Sequence, residues 1–370
     1  MPPSLLNGTV RYSVVSAGII SVTVVLYLFC FPNSQPLCPP QYAQTVPLPE
    51  KSSLSEAPKS EKTPPKPIVL LWFWPENFRF SFSDCKTLMD IDGCSLTDDR
   101  SLYSEADAVL IFHKSIKHDS SNLPPSPRPP AQRWIWFHVE SPTNTIKIPG
   151  LENLFNLTLS YRLDSDILVR YQLFVRETPE EHFEMPRKDK LVCWIVSNNN
   201  PYTGTGVRTK YFNELRKYIK ITLFGKAYGS FLKYEDYYPT ISSCKFYLAF
   251  ENSIHRDYIT EKFNAPLAAG TVPVVLGPPR QNYENFAPSN AFIHVDDFPT
   301  PKELAEYLLR LDKDDNLYRS YFQWRRHLEA KPHFVLQNQE FIKPICTACD
   351  YIGKHNEYRA PTNIYKWYFS

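Results

Sequence analysis

Between Tyr12 and Phe31 twenty consecutive residues, YSVVSAGIISVTVVLYLFCF, carry no formal charge. At about 1.5 Å per helical residue such a run matches a hydrocarbon core about 30 Å thick, whereas a cleaved secretory signal needs only roughly 7–15 apolar residues. The stretch predicts one transmembrane anchor. Arg11 and the amino terminus flank it on one side, and the next charges on the other are Glu50 and Lys51, so residues 1–11 are expected in the cytosol. The bulk of the chain is then lumenal, in a single-pass type II arrangement, and the Asn7-Gly8-Thr9 sequon lies on the wrong side for a glycan. From Pro32 to Pro67 the chain is rich in Pro, Ser, Lys and Glu without hydrophobic periodicity, the composition of a solvated stem.

Beyond the stem, a length of 370 residues predicts two domains, and 43% hydrophobic with 15% aromatic residues supplies their cores despite 34 prolines. Forty-one basic against 39 acidic residues give a formal charge of +2, which makes no case for nucleic acid as a partner. Short apolar runs read as buried strands at 67–74, 107–113 and 133–140, and again at 190–197, 221–225, 245–251, 271–277 and 291–297. Helical patterns lie between or after those of the second group, at 208–219, 258–270 and 302–311, the last with Leu304, Leu308 and Leu311 on one face. Strands alternating with helices predict right-handed crossovers and a parallel, Rossmann-like sheet. The charged stretch 176–190 has loop composition and is the expected joint between two halves.

The densest polar constellation follows the strand at 245–251: Glu251-Asn252-Ser253, then Asp257-Tyr258-Ile259-Thr260-Glu261-Lys262 opening a helix. In open α/β sheets, loops and helix N-termini at the carboxyl ends of strands present donors to phosphate, so a nucleotide is expected there. The plainer reading makes Thr260 a cap and Glu261 with Lys262 a solvated first turn. The sequence contains neither GxGxxG nor GxxxxGK[ST], so nicotinamide and P-loop chemistry are not indicated.

FYLAFENSIHRDYITEKF (246–263), followed by AGTVPVVLGPPRQNYENFAP (269–288), closely resembles the α-1,3-fucosyltransferase family of type II Golgi enzymes. Further blocks agree in order: RWIWFHVESP (133–142), NLFNLTLSYRLDSDI (153–167), KLVCWIVSN (190–198), AFIHVDDF (291–298), YFQWRRHL (321–328) and CTACDYI (346–352). The resemblance implies an α/β fold of GT-B type, two Rossmann-like domains facing a central cleft, preceded by the transmembrane helix and stem. It divides the chain into a cytosolic tail (1–11), anchor (12–31), stem (32–66), acceptor-binding domain (67–185), GDP-fucose-binding domain (186–345) and a tail (346–370) packed back on the first domain. It also implies inverting transfer of L-fucose from GDP-fucose to O3 of the GlcNAc in N-acetyllactosamine on glycoproteins and glycolipids, at the Golgi membrane. Inversion by one displacement needs one general base and a stabilised leaving diphosphate.

On this resemblance Glu140, at the ESP position, is the base; without it, Glu140 reads as an ordinary strand-end carboxylate. Arg208 and Lys262 resemble the family's diphosphate-binding cations, with Lys210 as the substitute should the register at NPYTGTGV (200–207) differ. Glu261 is expected on fucose hydroxyls, Asn252 and Tyr258 to position the donor, and Glu251 to support them. Phe112-His113-Lys114-Ser115 departs from the family's acceptor-reading motif, which makes His113 and Lys114 weak acceptor-binding candidates. Pro266 falls inside the helix after Thr260 and is expected to kink it.

On this resemblance no metal and no cofactor are expected: Asp164-Ser165-Asp166 is a DxD triplet, but it lies in the expected acceptor half, and in the family cationic side chains serve the leaving group. Cys346 and Cys349 form a lone CxxC, short of the four ligands of a structural zinc site. Six domain cysteines favour disulfides in an oxidising lumen, with fifteen pairings open. The resemblance selects Cys85 with Cys346, Cys94 with Cys349, and Cys193 with Cys244. Cys30 and Cys38 can each link two chains into a homodimer, and Asn156-Leu157-Thr158 is the expected lumenal glycan site. Three alternatives stay open: a membrane-tethered lectin, a homologue that binds donor without transferring it, and a fucosyltransferase with another acceptor.

Overall fold

Continuous apolar runs such as AVLIF and FYLAF have no polar face, so their strands must be covered on both sides. In the computed structural model, which describes residues 65–333 and 339–370, they form the centres of two parallel sheets. The expected anchor, the stem up to residue 64, Cys30 and Cys38 lie outside the described residues. Among the described residues no helix is long and apolar enough to cross a membrane.

The first sheet comprises β1 (Ile68–Leu71), β2 (Ser95–Thr97), β3 (Ala108–Phe112), β4 (Arg133–Phe137), β5 (Leu157–Ser160) and β6 (Ile167–Leu168), in the order β2-β1-β3-β4-β5-β6. A short β7 (Leu173–Val175) follows. The second sheet comprises β8 (Lys190–Ile195), β9 (Ile221–Phe224), β10 (Cys244–Phe250), β11 (Val272–Leu276) and β12 (Ile293–His294), in the order β12-β11-β10-β8-β9. Every neighbour within these two sheets is parallel. β13 (Leu328–Ala330) pairs antiparallel with β7.

Period-two alternation decides which side chains enter which core. Along β4, Ile135 and Phe137 enter one layer while Trp134 and Trp136 enter the other. Along β10, Phe246, Leu248 and Phe250 face the layer of helices Gly206–Leu215 and Pro301–Lys313, and Tyr247 and Ala249 face helix Glu261–Ala268. Leu304, Leu308 and Leu311 are buried together, as their spacing predicts. Each fully buried large side chain, such as Trp136 or Phe246, contributes roughly 1.5–3 kcal/mol or more of transfer free energy.

Two helices that sequence reading passes over complete the first sheet. Ile342–Lys354 lays Ile345, Ala348, Cys349 and Ile352 against one face, and Ile364–Tyr368 lays Ile364, Tyr365 and Tyr368 against the other. Disulfides join Cys85 to Cys346, Cys94 to Cys349, and Cys193 to Cys244, the pairs that the resemblance implies.

The helix expected over 258–270 begins only at Glu261, because Thr260, itself extended, caps it by accepting from Lys262 N, and residues 258–260 lie outside it. Asp257, with φ +60°, turns the chain just before this segment. The helix expected over 208–219 is Gly206–Leu215. Pro266 stays within its helix, buried in the second turn, and the helix ends two residues later.

Candidate functional site

The carboxyl ends of the central strands β4 and β10 open onto one cavity of about 720 Å³, the place where parallel sheets bind ligands. Loops from the two halves touch there. Ser253 Oγ donates to Ser141 Oγ at 2.7 Å, and Thr143 Oγ1 lies 2.6 Å from His255 Nε2. Gly204, with φ +80°, rests on both loops: a Cβ there would fall 2.9 Å from Asn252 O and 3.1 Å from Thr143 Cγ2.

Glu140, three residues past β4, lines the cavity. Its Oε1 accepts from Tyr258 Oη and from Ser141 N, each at 2.8 Å, and its backbone carbonyl accepts from Tyr368 Oη. Both carboxylate bonds fall on Oε1, and among the described residues Oε2 has no hydrogen-bond partner, which leaves it available to take a proton. Burial, and then Glu140, push the Tyr258 phenol well above its ordinary range, so this hydroxyl stays a donor.

Across the cavity stand Asn252, Glu261 and Lys262. Lys262 Nζ lies 2.9 Å from Thr260 Oγ1, 3.0 Å from Glu261 Oε1 and 3.3 Å from Glu251 Oε2. Burial alone would lower the lysine, but the two carboxylates outweigh it and keep the ammonium charged. Burial would likewise raise Glu261, yet Lys262 holds it down at about 2.

Four expected residues are placed differently. Glu251 is fully buried behind the wall, accepting from Thr260 N and Oγ1 at 2.9 Å each, so it positions the helix start and does not line the cavity. Arg208 is also buried and absent from the lining: its Nη1 donates to Phe250 O at 3.0 Å and its Nη2 to Asn198 O. Lys210 is exposed, and two residues along a helix from Arg208 it points roughly 200° away. His113 is a correction: it is buried, with Nδ1 accepting from Trp136 Nε1 and Nε2 donating to Ile146 O, both at 3.0 Å, which spends both nitrogens on structure. Lys114 does line the cavity, paired with Glu76 at 2.6 Å.

The Asn156 amide is buried, donating through Nδ2 to Arg359 O at 2.6 Å and accepting from Trp134 N at 2.8 Å. The sequon asparagine is thus covered in the folded chain, with its side chain engaged by the C-terminal segment. The DxD carboxylates are committed to the protein. Asp164 is bound by Arg162 Nε and Nη2, both at 2.9 Å, and Asp166 by Thr158 N at 2.8 Å and by Arg359. Among the described residues no group of three or more His, Cys, Asp or Glu is arranged to hold a metal ion.

Sequence reading misses His138, Tyr161, Arg170, Tyr171 and His333, which line the cavity. His138 had a signal: two residues before Glu140 at the end of a strand, it shares that face. It is buried, its Nε2 lies 2.6 Å from Thr145 Oγ1, and its Nδ1 has no partner among the described residues.

Residues 64–172 match the family described as "Fucosyltransferase, N-terminal" and residues 185–367 match "Glycosyltransferase family 10 (fucosyltransferase) C-term". The chain is 50% identical over 303 residues to the Rattus norvegicus 4-galactosyl-N-acetylglucosaminide 3-alpha-L-fucosyltransferase 9, covering 82% of each protein. The Homo sapiens protein of that name is 49% identical over the same length and shares. A Bos taurus 3-galactosyl-N-acetylglucosaminide 4-alpha-L-fucosyltransferase is 43% identical over 306 residues, 81% of each. The crystal structure of an alpha1,3-fucosyltransferase with GDP-fucose shares the fold, with a TM-score of 0.53 at 18% identity, over 83% of this chain and 96% of that one. With both halves of the chain matched and half of the residues shared over most of its length, this protein belongs to glycosyltransferase family 10, the fucosyltransferases.

Proposed function

We propose that this chain is an inverting α-1,3-fucosyltransferase that moves L-fucose from GDP-β-L-fucose to O3 of the GlcNAc in N-acetyllactosamine glycans, giving Lewis x type products. The observation that carries the reading is the Glu140 carboxylate, with Oε2 unengaged, facing the Glu261 and Lys262 pair across one cavity. Glu140 Oε2 takes the proton of the acceptor hydroxyl as its oxygen attacks fucose C1 from the side opposite the nucleotide. The bond from C1 to the β-phosphate oxygen breaks, and GDP leaves with the electron pair. Lys262 offsets the charge on the departing diphosphate, and Glu261 with Asn252 orients the sugar. One displacement turns a β-linked donor into an α-linked product.

The halves 67–185 and 186–345 take acceptor and donor respectively, and 346–370 belongs with the first. No cofactor is required, because a side-chain cation serves the leaving group; the commitment of Asp164 and Asp166 to Arg162, Thr158 and Arg359 supports this. The names of the rat and human relatives support the acceptor and linkage. The apolar run 12–31 supports a single-pass type II protein of the Golgi membrane with a lumenal catalytic domain, acting on glycoproteins and glycolipids.

The test is transfer by the full-length chain in detergent, given GDP-fucose and either lactosamine, sialyl-lactosamine or lacto-N-biose, with chelator present and the product linkage read by NMR. An α-1,3-fucosylated lactosamine is the expected product. Fucose on O4 of lacto-N-biose alone would assign the other linkage, and no transfer to any acceptor overturns the reading.

A further inference from the structure

In the free site the Lys262 ammonium donates to Thr260 Oγ1 at 2.9 Å and to Glu261 Oε1 at 3.0 Å, and Glu251 Oε2 lies at ion-pair distance, 3.3 Å. A diphosphate that binds Lys262 therefore competes with Glu261 for this ammonium. The Glu261 carboxylate on this ammonium also lines the cavity, so its charge opposes a diphosphate approaching Lys262 unless the carboxylate withdraws. The two carboxylates differ in their freedom to do so. Glu251 has no side-chain exposure and is held by the backbone N and the hydroxyl of Thr260, the cap of the helix that carries Lys262. Glu261 is 32% exposed at its side chain and lines the cavity.

We propose that Glu261 is an exchangeable counterion of Lys262, giving the ammonium up to the diphosphate of the incoming sugar nucleotide and reclaiming it from the nucleoside diphosphate product. This rests on the fucosyl-transfer reading. The intact donor compensates Glu261 for the lost partner, since its sugar hydroxyls are new donors for the carboxylate. The product lacks the sugar and offers no such compensation, so the diphosphate and the Glu261 carboxylate compete for one ammonium after transfer. The site thereby prefers donor to product, and the returning carboxylate helps to expel GDP. Glu251 stays in place throughout and keeps Lys262 charged.

The test is calorimetric titration of GDP and of GDP-fucose into the full-length wild type, Glu261→Gln, Lys262→Gln and the double variant. Removing the competing charge is expected to tighten GDP binding at least about fivefold in Glu261→Gln. GDP-fucose should not share the gain, so preference for donor over product falls. In the Lys262→Gln background, Glu261→Gln should change GDP affinity by less than about twofold, because the competition acts through that lysine. If Glu261→Gln does not fold, Glu261→Asp, which retracts the charge by one methylene, has the same expected sign. GDP bound equally or more weakly by the folded variants overturns the proposal, as does a gain that persists without Lys262. A wild type that binds neither nucleotide overturns the fucosyl-transfer reading itself, and this inference with it.

Discussion

Tyr258 Oη lies 2.8 Å from Glu140 Oε1, so the segment that leads into the Lys262 helix also holds the carboxylate at the end of the opposite sheet. The residue expected to position the donor therefore positions Glu140, the proposed base. With Ser141 N on the same oxygen, the bond fixes the carboxylate about its last torsion and leaves Oε2 unengaged among the described residues. Tyr161 packs edge-on against Tyr258 with centroids 5.1 Å apart, and Tyr368 Oη reaches the Glu140 carbonyl, so three tyrosines brace the strand end.

Tyr258→Phe keeps the ring and removes only the hydroxyl. A hydrogen bond to a charged group is worth roughly 1.5–3 kcal/mol, or about ten- to a hundredfold in rate if it is fully expressed in the transition state. We expect kcat to fall by that factor with the KM for GDP-fucose little changed, read from initial rates at saturating acceptor. A rise in donor KM at constant kcat would return Tyr258 to donor binding.

Glu140→Gln preserves shape and removes the proposed base. General-base catalysis contributes roughly 10²–10⁴-fold, so transfer should fall by at least that range while calorimetry shows GDP-fucose binding intact. Loss of donor binding in this variant would refute the base assignment.

Both halves of the fold were legible where strands are long and buried on two faces: β3, β4, β8, β10 and β11 are continuous apolar runs. β5 was hidden because LTLS is short and half polar, its Thr158 being satisfied by Asp166 rather than by solvent. Helix Ile342–Lys354 was hidden by Pro344 and by cysteines that read as staples, although Ile342, Ile345, Cys349 and Ile352 follow a helical spacing. In the site, Glu140, Asn252, Glu261 and Lys262 were legible through the family motif. The roles of Arg208, Glu251 and His113 were not, because motif identity does not tell a side chain that faces the cavity from one that braces its wall. Only the backbone carbonyls on Arg208 and the Trp136 bond to His113 draw that line.

Lys262→Ala leaves the buried Glu251 and its neighbour Glu261 without their shared cation, which costs roughly 3–5 kcal/mol when one partner of a buried pair is removed. In the wild type Glu261 titrates at about 2, below its unfolded value, so its stabilisation is full above about pH 4.5 and is lost as pH falls toward 2. Without Lys262, burial raises both carboxylates, and their penalty is relieved on acidification. Urea melts at pH 7 and pH 4 should therefore show the gap between wild type and variant narrowing at the lower pH.

Asn156→Ala should destabilise the protein even when it is made without glycans. Its amide satisfies Trp134 N and Arg359 O, and stranding such buried partners costs roughly 1–3 kcal/mol each. Denaturant midpoints of unglycosylated wild type and variant give the answer. Equal midpoints would mean that the C-terminal segment does not lean on this amide.

Lys188 offers a pH dependence of the same sign as that of Glu261, but in the alkaline range. Its Nζ donates to Ser242 O at 2.7 Å, Gly270 O at 2.6 Å and Thr271 Oγ1 at 3.0 Å, with no carboxylate within ion-pair distance among the described residues. Burial pulls its pKa down to about 7, against about 10.4 in the unfolded chain. Between those values the unfolded state binds more protons than the folded one, so the contribution of Lys188 to stability rises with pH from about 7 to about 10. Lys188→Met removes the titration. Unfolding free energies measured at pH 7, 8.5 and 9.5 should climb for the wild type relative to the variant, and parallel curves would show that the three acceptors keep the ammonium charged throughout.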